Sequence, residues 1–349
     1  MKIAIIAHGL SNGGAERVAS LVANHYAASG HDVLFVAAYS AAREYRLEDS
    51  VSYVYVGGNY RNKLTRLLGR SCSIHQEVKK FRADVAVSFL INETLLSTLA
   101  GSVPYIYTLR NDPGNTCSSP AMRLTSNLAF RKAQKVIFQT PNARDFFCQT
   151  IREKGVVIPN PLTRNLPVWD GTHSEKKIIT ACRLTRQKNL PMLISAFAQF
   201  REQYPEYTLW IYGHGDLLEE LRAFAKSCGV EDAVFFPGYA TNIHEIMVRS
   251  DIFALTSDFE GLSNSMLEAL AIGIPTVCTD CPPGGAALYI ENEVSGMLVP
   301  VGDTAQLVKC FCRMAADEEF CRNLSENSQK IRRTLDVDAV LKQWSGILD

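Results

Sequence analysis

Residues 251–275 constrain the fold more than any other part of the chain. Asp251-Ile-Phe-Ala-Leu-Thr256 is an apolar run of strand length. The pattern then changes to a helix, Asn264 to Ala271, stopped by Gly273 and Pro275. A buried strand that passes through a tight turn into a helix is the unit of an α/β sheet. The helix N-terminus offers unpaired backbone N–H groups and the positive end of its dipole, so it suits a phosphate. Glu268, about one turn into the helix, can accept hydrogen bonds from the vicinal hydroxyls of a ribose. Glu260, in the turn itself, would face whatever the phosphate carries. Together these groups suit a nucleotide sugar. The plainer reading is a helix with an acidic residue before it and a surface glutamate on it.

Two glutamates with seven residues between them, a Gly261-Leu262-Ser263 turn and an Ala-Leu-Ala-Ile-Gly-Ile-Pro tail resemble the paired-glutamate signature of retaining GT-B glycosyltransferases, family 4. The resemblance implies that Glu268 holds the donor ribose and Glu260 contacts the donor sugar. It also implies that Gly261, Leu262 and Ser263 approach the phosphate.

The chain opens with an apolar strand, Lys2 to Ala7, then the loop His8-Gly-Leu-Ser-Asn-Gly-Gly14, a helix from Ala15 and a strand over residues 31–38. This is the start of a doubly wound sheet. Gly13 and Gly14 let backbone come close to a ligand at a helix start. They do not form the dinucleotide fingerprint. The run Gly-Gly-Ala-Glu-Arg-Val is similar to the family's first-domain loop, which implies a diphosphate contact for Gly13 and Gly14. Glu16 and Arg17 read equally as ordinary first-turn residues.

Arg110-Asn-Asp-Pro-Gly114 follows a strand that ends at Leu109. Many family members carry a histidine-containing loop there, and this chain has none. Arg110, Asn111 and Asp112 are candidates for sugar or acceptor contacts, or for a structural turn capped by Asp112. Val156-Val-Ile-Pro-Asn-Pro-Leu162 reads as a strand into an extended linker.

After that linker, the strand Lys177 to Cys182 leads into Arg183-Leu-Thr-Arg-Gln-Lys188-Asn and a helix at Leu190. This resembles the family motif whose arginine and lysine clamp the donor diphosphate, which implies that role for Arg183 and Lys188. Fixed cations there would stabilise charge building on the leaving phosphate. Gly213-His-Gly215 follows another strand but lacks the third glycine of a nicotinamide site. The Pro237-Gly238-Tyr239 turn would, by resemblance, lie against the nucleobase. Residues 284–299 resemble the family's helix after the site and its following strand.

Composition agrees with a globular α/β protein: 349 residues, 47% hydrophobic and 21% charged. No run of about 18 apolar residues is present, so no membrane span is expected, and no secretory signal opens the chain. The ten cysteines show no disulfide framework and read as reduced, most of them as buried small hydrophobes. Net charge is zero but uneven. Residues 1–160 hold 19 Lys+Arg against 11 Asp+Glu, a balance of +8, and the remainder balances it with −8. Residues 61–82 form a basic helical region in which Leu64, Leu67 and Leu68 share a face with Arg61, Lys63, Arg66 and Arg70 around them. Residues 120–135 form a second basic helix. Such helices suit an anionic membrane surface, and equally a solvated charged face over a core stripe.

The expected architecture is therefore α/β, GT-B, with two Rossmann-like domains facing a cleft and a C-terminal helix crossing back to the first. The expected domains are residues 1–162 for the acceptor, 163–335 for the nucleotide sugar and 336–349 for the returning helix. The expected function is a retaining, metal-independent glycosyltransferase at the inner face of the cell membrane. It would move a hexose or N-acetylhexosamine from a UDP-sugar to a lipid-linked saccharide of a bacterial surface polysaccharide, with no cofactor and no nucleic acid. Glu260, Arg183 and Lys188 would serve the chemistry. A nucleotide-sugar epimerase or hydrolase, a dehydrogenase on Gly213–Gly215 and a non-enzymatic sugar- or RNA-binding protein are the alternatives.

Overall fold

A computed structural model of the chain describes residues 1–11, 13–58, 60–101, 103–171 and 175–348. Asn12 of the first loop, and residues 172–174 of the polar stretch after the linker, fall outside that description. The chain forms two compact units, Met1–Pro161 with Asp338–Asp349, and Leu162–Val337.

The first unit is built on a parallel seven-stranded sheet. Its strands are β1 (Lys2–Ala7), β2 (Asp32–Ala37), β3 (Val51–Tyr55), β4 (Val85–Ser88), β5 (Tyr105–Leu109), β6 (Lys135–Phe138) and β7 (Gly155–Val157), in the order β3-β2-β1-β4-β5-β6-β7. β1 is central, with Ile3 paired to Val33 on one side and to Val85 on the other. Its residues Ile3 to Ile6 are fully buried, as the uninterrupted apolar run requires when helices cover both faces of a sheet. Helix α1 (Gly14–Ala28) follows β1, α2 (Lys63–Phe81) follows β3 and α3 (Ile91–Leu99) follows β4.

The last helix, Val337–Ser345, returns to this unit, as expected. The Tyr26 hydroxyl donates to the Trp344 carbonyl at 2.8 Å, His25 Nε2 lies 2.7 Å from Ser345 Oγ, and buried Trp344 stacks near Phe89. The apolar residues Val340, Leu341, Trp344 and Ile347 are all buried, so its amphipathic pattern is what anchors it.

The second unit carries a parallel six-stranded sheet. Its strands are β8 (Lys177–Ala181), β9 (Thr208–Tyr212), β10 (Val234–Gly238), β11 (Ile252–Leu255), β12 (Thr276–Asp280) and β13 (Met297–Pro300), in the order β10-β9-β8-β11-β12-β13. Helices Leu190–Arg201 and Thr304–Ala316 pack together over one face through Phe197, Phe200, Leu307 and Phe311.

Two sequence expectations differ from the structure. No helix forms between Gly284 and β13 among the described residues: Ala286 to Ile290 makes one turn, in which the Ala286 carbonyl accepts from the Tyr289 and Ile290 N–H groups. Gly284 has φ +84°, and Gly285 is pressed against the Gly261 carbonyl, where an added Cβ would lie 2.0 Å away. Ser295 Oγ then accepts from Glu291 N–H and turns the chain toward β13, which leaves no room to propagate a nucleated helix. The second difference is in α2. Arg70 does not join the basic exposed face; it is 7% exposed, with its guanidinium 3.7 Å from the Tyr39 ring centroid. Leu64 and Leu68 are exposed and Leu67 is half-buried, while the side chain of Lys63 lies outside the described residues.

Candidate active site

β11 ends at Leu255 and the chain passes through buried Thr256 and Ser257 into the turn that carries Glu260. Ser263 caps the helix Asn264–Ile272, its hydroxyl accepting from Met266 N–H, and Gly273 closes it with φ +92°. The apolar run Met266–Ile272 is buried save for the Glu268 carboxyl edge, so the helix is fixed by its packing rather than by its caps alone.

The turn itself is tied down from three directions. Asp258 N–H donates to the Gln187 carbonyl at 2.9 Å, and Gln187 Nε2 donates to the Phe259 carbonyl at 2.9 Å. Asn189 Nδ2 donates to Asp258 at 2.7 Å, and Glu260 N–H donates to the Pro282 carbonyl at 2.9 Å. These bonds satisfy backbone groups that a buried loop would otherwise leave unpaired. They also couple the Glu260 turn to the segment after β8 and to the loop after β12.

Lys188 ends a short 3-10 turn, Arg186–Lys188, after β8. Asn189 then takes a left-handed conformation and caps the helix Leu190–Arg201 with its side chain. Thr256 Oγ1 donates to the Lys188 carbonyl at 3.0 Å, which orients the lysine inward. Lys188 is 7% exposed, and its ammonium is ion-paired with the Glu260 carboxylate. Burial by itself would lower the Lys188 pKa. The adjacent Glu260 charge, with the Cys182 thiol and the Glu260 hydrogen bond, outweighs it, so the ammonium is held above its ordinary range. Arg183 is exposed on the same loop, close enough for its charge to oppose that of Lys188.

Glu268 is 9% exposed. Thr163 Oγ1 donates to its Oε1 at 2.6 Å, and His244 Nε2 lies 3.0 Å from Oε2 without the alignment of a good hydrogen bond. An ionised carboxylate has about four acceptor sites, so vicinal hydroxyls have capacity to bind here. Neither Thr163 nor His244 was legible as a partner: Thr163 is 105 residues away in sequence, and His244 sits on a five-residue helix without a motif.

Gly238 ends β10 with φ +85°, and its carbonyl accepts from Gly213 N–H at 2.9 Å. Tyr239 is exposed, and its ring centroid lies 6.2 Å from that of His214 at an interplanar angle of 28°. A Cβ on Gly213 would lie 1.9 Å from the Cys182 carbonyl, so the Gly213-His-Gly215 pattern serves the close approach of the loops after β8 and β9. His214 is a second residue that the sequence placed only in a weak glycine motif.

The carboxyl ends of β8, β10 and β11 thus carry Arg183, Lys188, Gly238, Tyr239, Glu260, Gly261, Leu262, Ser263 and Glu268. Ligands of open α/β sheets bind at such ends. Gly13 and Gly14 belong to the other unit, at the carboxyl end of β1. Gly13 is the N-terminal cap of α1, and the Glu16 carboxylate folds over it, so that a Cβ on Gly13 would lie 1.7 Å from Glu16 Oε2. Arg17 Nη1 donates to the Pro161 carbonyl at 3.1 Å.

In the loop after β5, Asp112 caps the short helix Pro113–Thr116 by accepting from Asn115 N–H at 2.7 Å. The structural alternative for Asp112 is what this conformation shows. Arg110 is turned inward, its Nη2 donating to Asn160 Oδ1, which also accepts from Gln139 Nε2 at 2.9 Å. Burial pushes the Arg110 guanidinium down to about 9. Cys278 and Cys281 are buried near the Glu260 turn, and burial pushes both thiols up, Cys281 to about 12. They are poor nucleophiles in this setting. Among the described residues no cluster of three His, Cys, Asp or Glu side chains is placed to hold a metal ion.

Comparison with known proteins adds to this geometry. The profile "Glycosyl transferases group 1" matches residues 168–331, and "Glycosyl transferase 4-like domain" matches residues 13–161. An uncharacterized glycosyltransferase of Haemophilus influenzae is 25% identical over 97% of both chains. A Campylobacter jejuni α-1,4-N-acetyl-D-galactosaminyltransferase, whose name gives an undecaprenol-diphosphate-linked saccharide as its acceptor, is 22% identical over 100% of this chain and 98% of its own. Anabaena HepE, solved with UDP and glucose, superposes with a TM-score of 0.81 at 21% identity, covering 100% of this chain and 99% of its own.

Proposed function

The chain belongs to the GT-B glycosyltransferases, and we propose that it moves a hexose or N-acetylhexosamine from a UDP-sugar to a lipid-linked saccharide of a bacterial surface polysaccharide, with retention at the anomeric carbon. The observation that carries this reading is the Lys188–Glu260 ion pair at the start of the helix that also bears Glu268. A cation, a helix N-terminus and two carboxylates then converge at the carboxyl edge of one sheet.

In this reading Glu268 binds the ribose hydroxyls, and Gly238 and Tyr239 lie along the base. Arg183, Lys188 and the Gly261–Ser263 turn face the diphosphate. As the bond from sugar to phosphate breaks, negative charge grows on the leaving diphosphate. Lys188 is already charged and fixed, so stabilising that charge costs little reorganisation. Glu260 keeps the ammonium in place and accepts from a sugar hydroxyl. The acceptor hydroxyl attacks from the face the diphosphate leaves, and a departing phosphate oxygen takes its proton. The cationic side chains supply the electrostatic work, and no metal is required in this scheme.

The acceptor's lipid tail is supported by the surface of the first unit. Leu64 (65% exposed) and Leu68 on α2, Leu96 and Leu99 on α3, and Leu124 (60% exposed) and Leu128 on the helix Pro120–Lys132 are all in water. The three helices pack side by side, α3 in the middle. Arg61, Arg66, Arg123, Arg131 and Lys132 are exposed around them, and no exposed carboxylate lies on these helices among the described residues. Apolar and cationic groups together suit an anionic bilayer. No helix among the described residues is long and apolar enough to cross a membrane. We place the enzyme peripherally, on the cytosolic face.

The test is UDP release from a panel of UDP-sugars, with and without prenyl-diphosphate-linked saccharides. Acceptor-dependent release that Glu268→Ala abolishes is the expected result. Release without any acceptor dependence would replace this reading with a hydrolase or epimerase. Absence of both release and UDP binding would remove the donor site.

A further inference from the structure

Two side chains outside the donor chemistry described above meet the Glu268 carboxylate. Thr163 Oγ1 donates to Oε1 at 2.6 Å, and His244 Nε2 lies 3.0 Å from Oε2. The last torsion of a glutamate is broad, so a place on a helix does not by itself set the plane of the carboxylate. A partner at each oxygen does. The His244 Nε2 is buried with no better-aligned partner among the described residues, so the imidazole is committed to this carboxylate. The close approach also fixes its proton on Nε2, since two lone pairs would repel at that distance.

The segments that carry these groups are cross-tied within the second unit. Thr163 belongs to the extended stretch Leu162–Trp169. Leu162 N–H donates to the Leu335 carbonyl at 3.0 Å. Arg332 donates through Nη1 to the Leu166 carbonyl at 3.3 Å and through Nη2 to the Pro167 carbonyl, and its Nε donates to the Ala271 carbonyl near the end of the Glu268 helix. Trp169 N–H donates to the Ile272 carbonyl at 2.8 Å, and Trp169 Nε1 to the Ser250 carbonyl at 3.1 Å, just beyond the helix Ile243–Met247 that carries His244. Ser250 Oγ in turn donates to the Ile246 carbonyl at 3.1 Å. Backbone carbonyls, Arg332 and Trp169 therefore hold the stretch, the Glu268 helix and the His244 helix to one another. The Thr163 hydroxyl and the His244 imidazole are not needed for that attachment, and what they add falls on the carboxylate.

A carboxylate held at both oxygens cannot turn to suit its ligand. Two vicinal hydroxyls fit its edge, and a sugar lacking one of them leaves an acceptor unpaired in a partly buried place. A carboxylate free to rotate would re-pair with the remaining hydroxyl and with water. We propose that Thr163 and His244 are positioning residues that fix the Glu268 carboxylate, and that through it the site selects ribonucleoside diphosphate sugars over 2′-deoxyribonucleoside diphosphate sugars. The inference rests on the reading of Glu268 as the ribose contact and adds the residues that make that contact selective.

Calorimetric titration of the full chain with UDP and with 2′-deoxy-UDP tests it. The wild type should prefer UDP by about 30-fold or more. Thr163→Val and His244→Phe should each reduce that preference to about threefold, because the carboxylate regains its rotation. Thr163→Ser and His244→Gln keep a donor and should retain most of it. A role in folding alone would weaken both nucleotides by the same factor and leave their ratio unchanged, and an unchanged ratio in Thr163→Val and His244→Phe would overturn the proposal. So would a wild type that binds both nucleotides equally while Glu268→Ala still weakens UDP. That comparison needs no variant of Thr163 or His244, so a substitution that unfolds the chain does not shield the proposal. UDP affinity indifferent to Glu268→Ala is a separate outcome: it would refute the ribose contact itself, and the selectivity argument with it.

Discussion

Replacing Lys188 by methionine separates what the Lys188–Glu260 pair does for stability from what it does for catalysis. The lysine side chain is 9% exposed and that of Glu260 19%. Removing the cation alone leaves a mostly buried carboxylate without its counter-charge. Breaking a fully buried pair costs about 3–5 kcal/mol. Water reaches part of Glu260, and Ser257 Oγ stands 3.4 Å from its Oε2, so about 2–3 kcal/mol is the expected loss. Glu260→Gln alone strands the more buried ammonium and should cost about 3 kcal/mol. The double variant Lys188→Met/Glu260→Gln keeps volume and removes both charges, and it should return to within about 1 kcal/mol of wild type. Urea unfolding followed by tryptophan fluorescence reads this directly, since Trp169 and Trp210 both lie in the second unit. Sugar transfer should behave differently. It should fall by about 10²–10³-fold whenever Lys188 is absent, and the double variant should not recover it. This role of the ion pair is refuted if Lys188→Met is as stable as wild type. It is refuted equally if the double variant loses as much as both single variants together, or if transfer returns with stability.

Glu268→Gln should weaken UDP by about tenfold or more in calorimetric titration, because one face of a charge-assisted pair with the ribose is lost; unchanged UDP affinity would remove Glu268 from the ribose. Gly285→Ala drives a methyl to 2.0 Å from the Gly261 carbonyl, so it should cost about 1–3 kcal/mol and displace the Glu260 turn. A stable and fully active Gly285→Ala would show that the turn does not depend on that contact. Arg110→Met should be neutral or stabilising by about 1 kcal/mol at pH 7, because it removes a buried charge with no carboxylate partner. A loss of more than about 1 kcal/mol in urea melts of Arg110→Met would show instead that the guanidinium's hydrogen bond to Asn160 outweighs the cost of its burial. Leu64→Ser with Leu124→Ser should weaken binding to phosphatidylglycerol vesicles by about tenfold or more, given about 1.5–3 kcal/mol for each leucine buried in lipid. Vesicle binding that survives both changes and vanishes only with salt would leave the arginines as the whole contact.

Much of this was legible because the signals are local. Uninterrupted apolar runs such as Ile3–Ile6 specify strands buried on both faces, and their alternation with helices specifies an α/β chain with parallel strands; the division into two sheets was implied by the resemblance to GT-B glycosyltransferases. Ser263, Gly273 and the buried run between them define one helix through its caps and its apolar face. The returning C-terminal helix announced itself through Val340, Leu341 and Trp344. What stayed hidden depends on contacts between residues distant in sequence. The ion pair of Lys188 with Glu260, the hydroxyl of Thr163 on Glu268 and the position of His244 all arise from strand order, which no local pattern encodes. Arg70 shows the opposite failure. Its spacing among other basic residues reads as surface, yet Tyr39 and Tyr60 offer aromatic faces that cover a guanidinium well. The missing helix after Gly284 has a similar origin, since the close approach of Gly285 to Gly261 is a tertiary fact.

In the proposed function the second unit is a UDP-sugar site that works only with an acceptor. The most direct measurement is UDP release from UDP-glucose, UDP-galactose and the two UDP-N-acetylhexosamines, with and without a prenyl-diphosphate-linked saccharide, for wild type and Glu268→Ala. Release from one donor, strongly enhanced by acceptor and abolished in the variant, is expected. Release that ignores the acceptor, or that survives loss of Glu268, would contradict it.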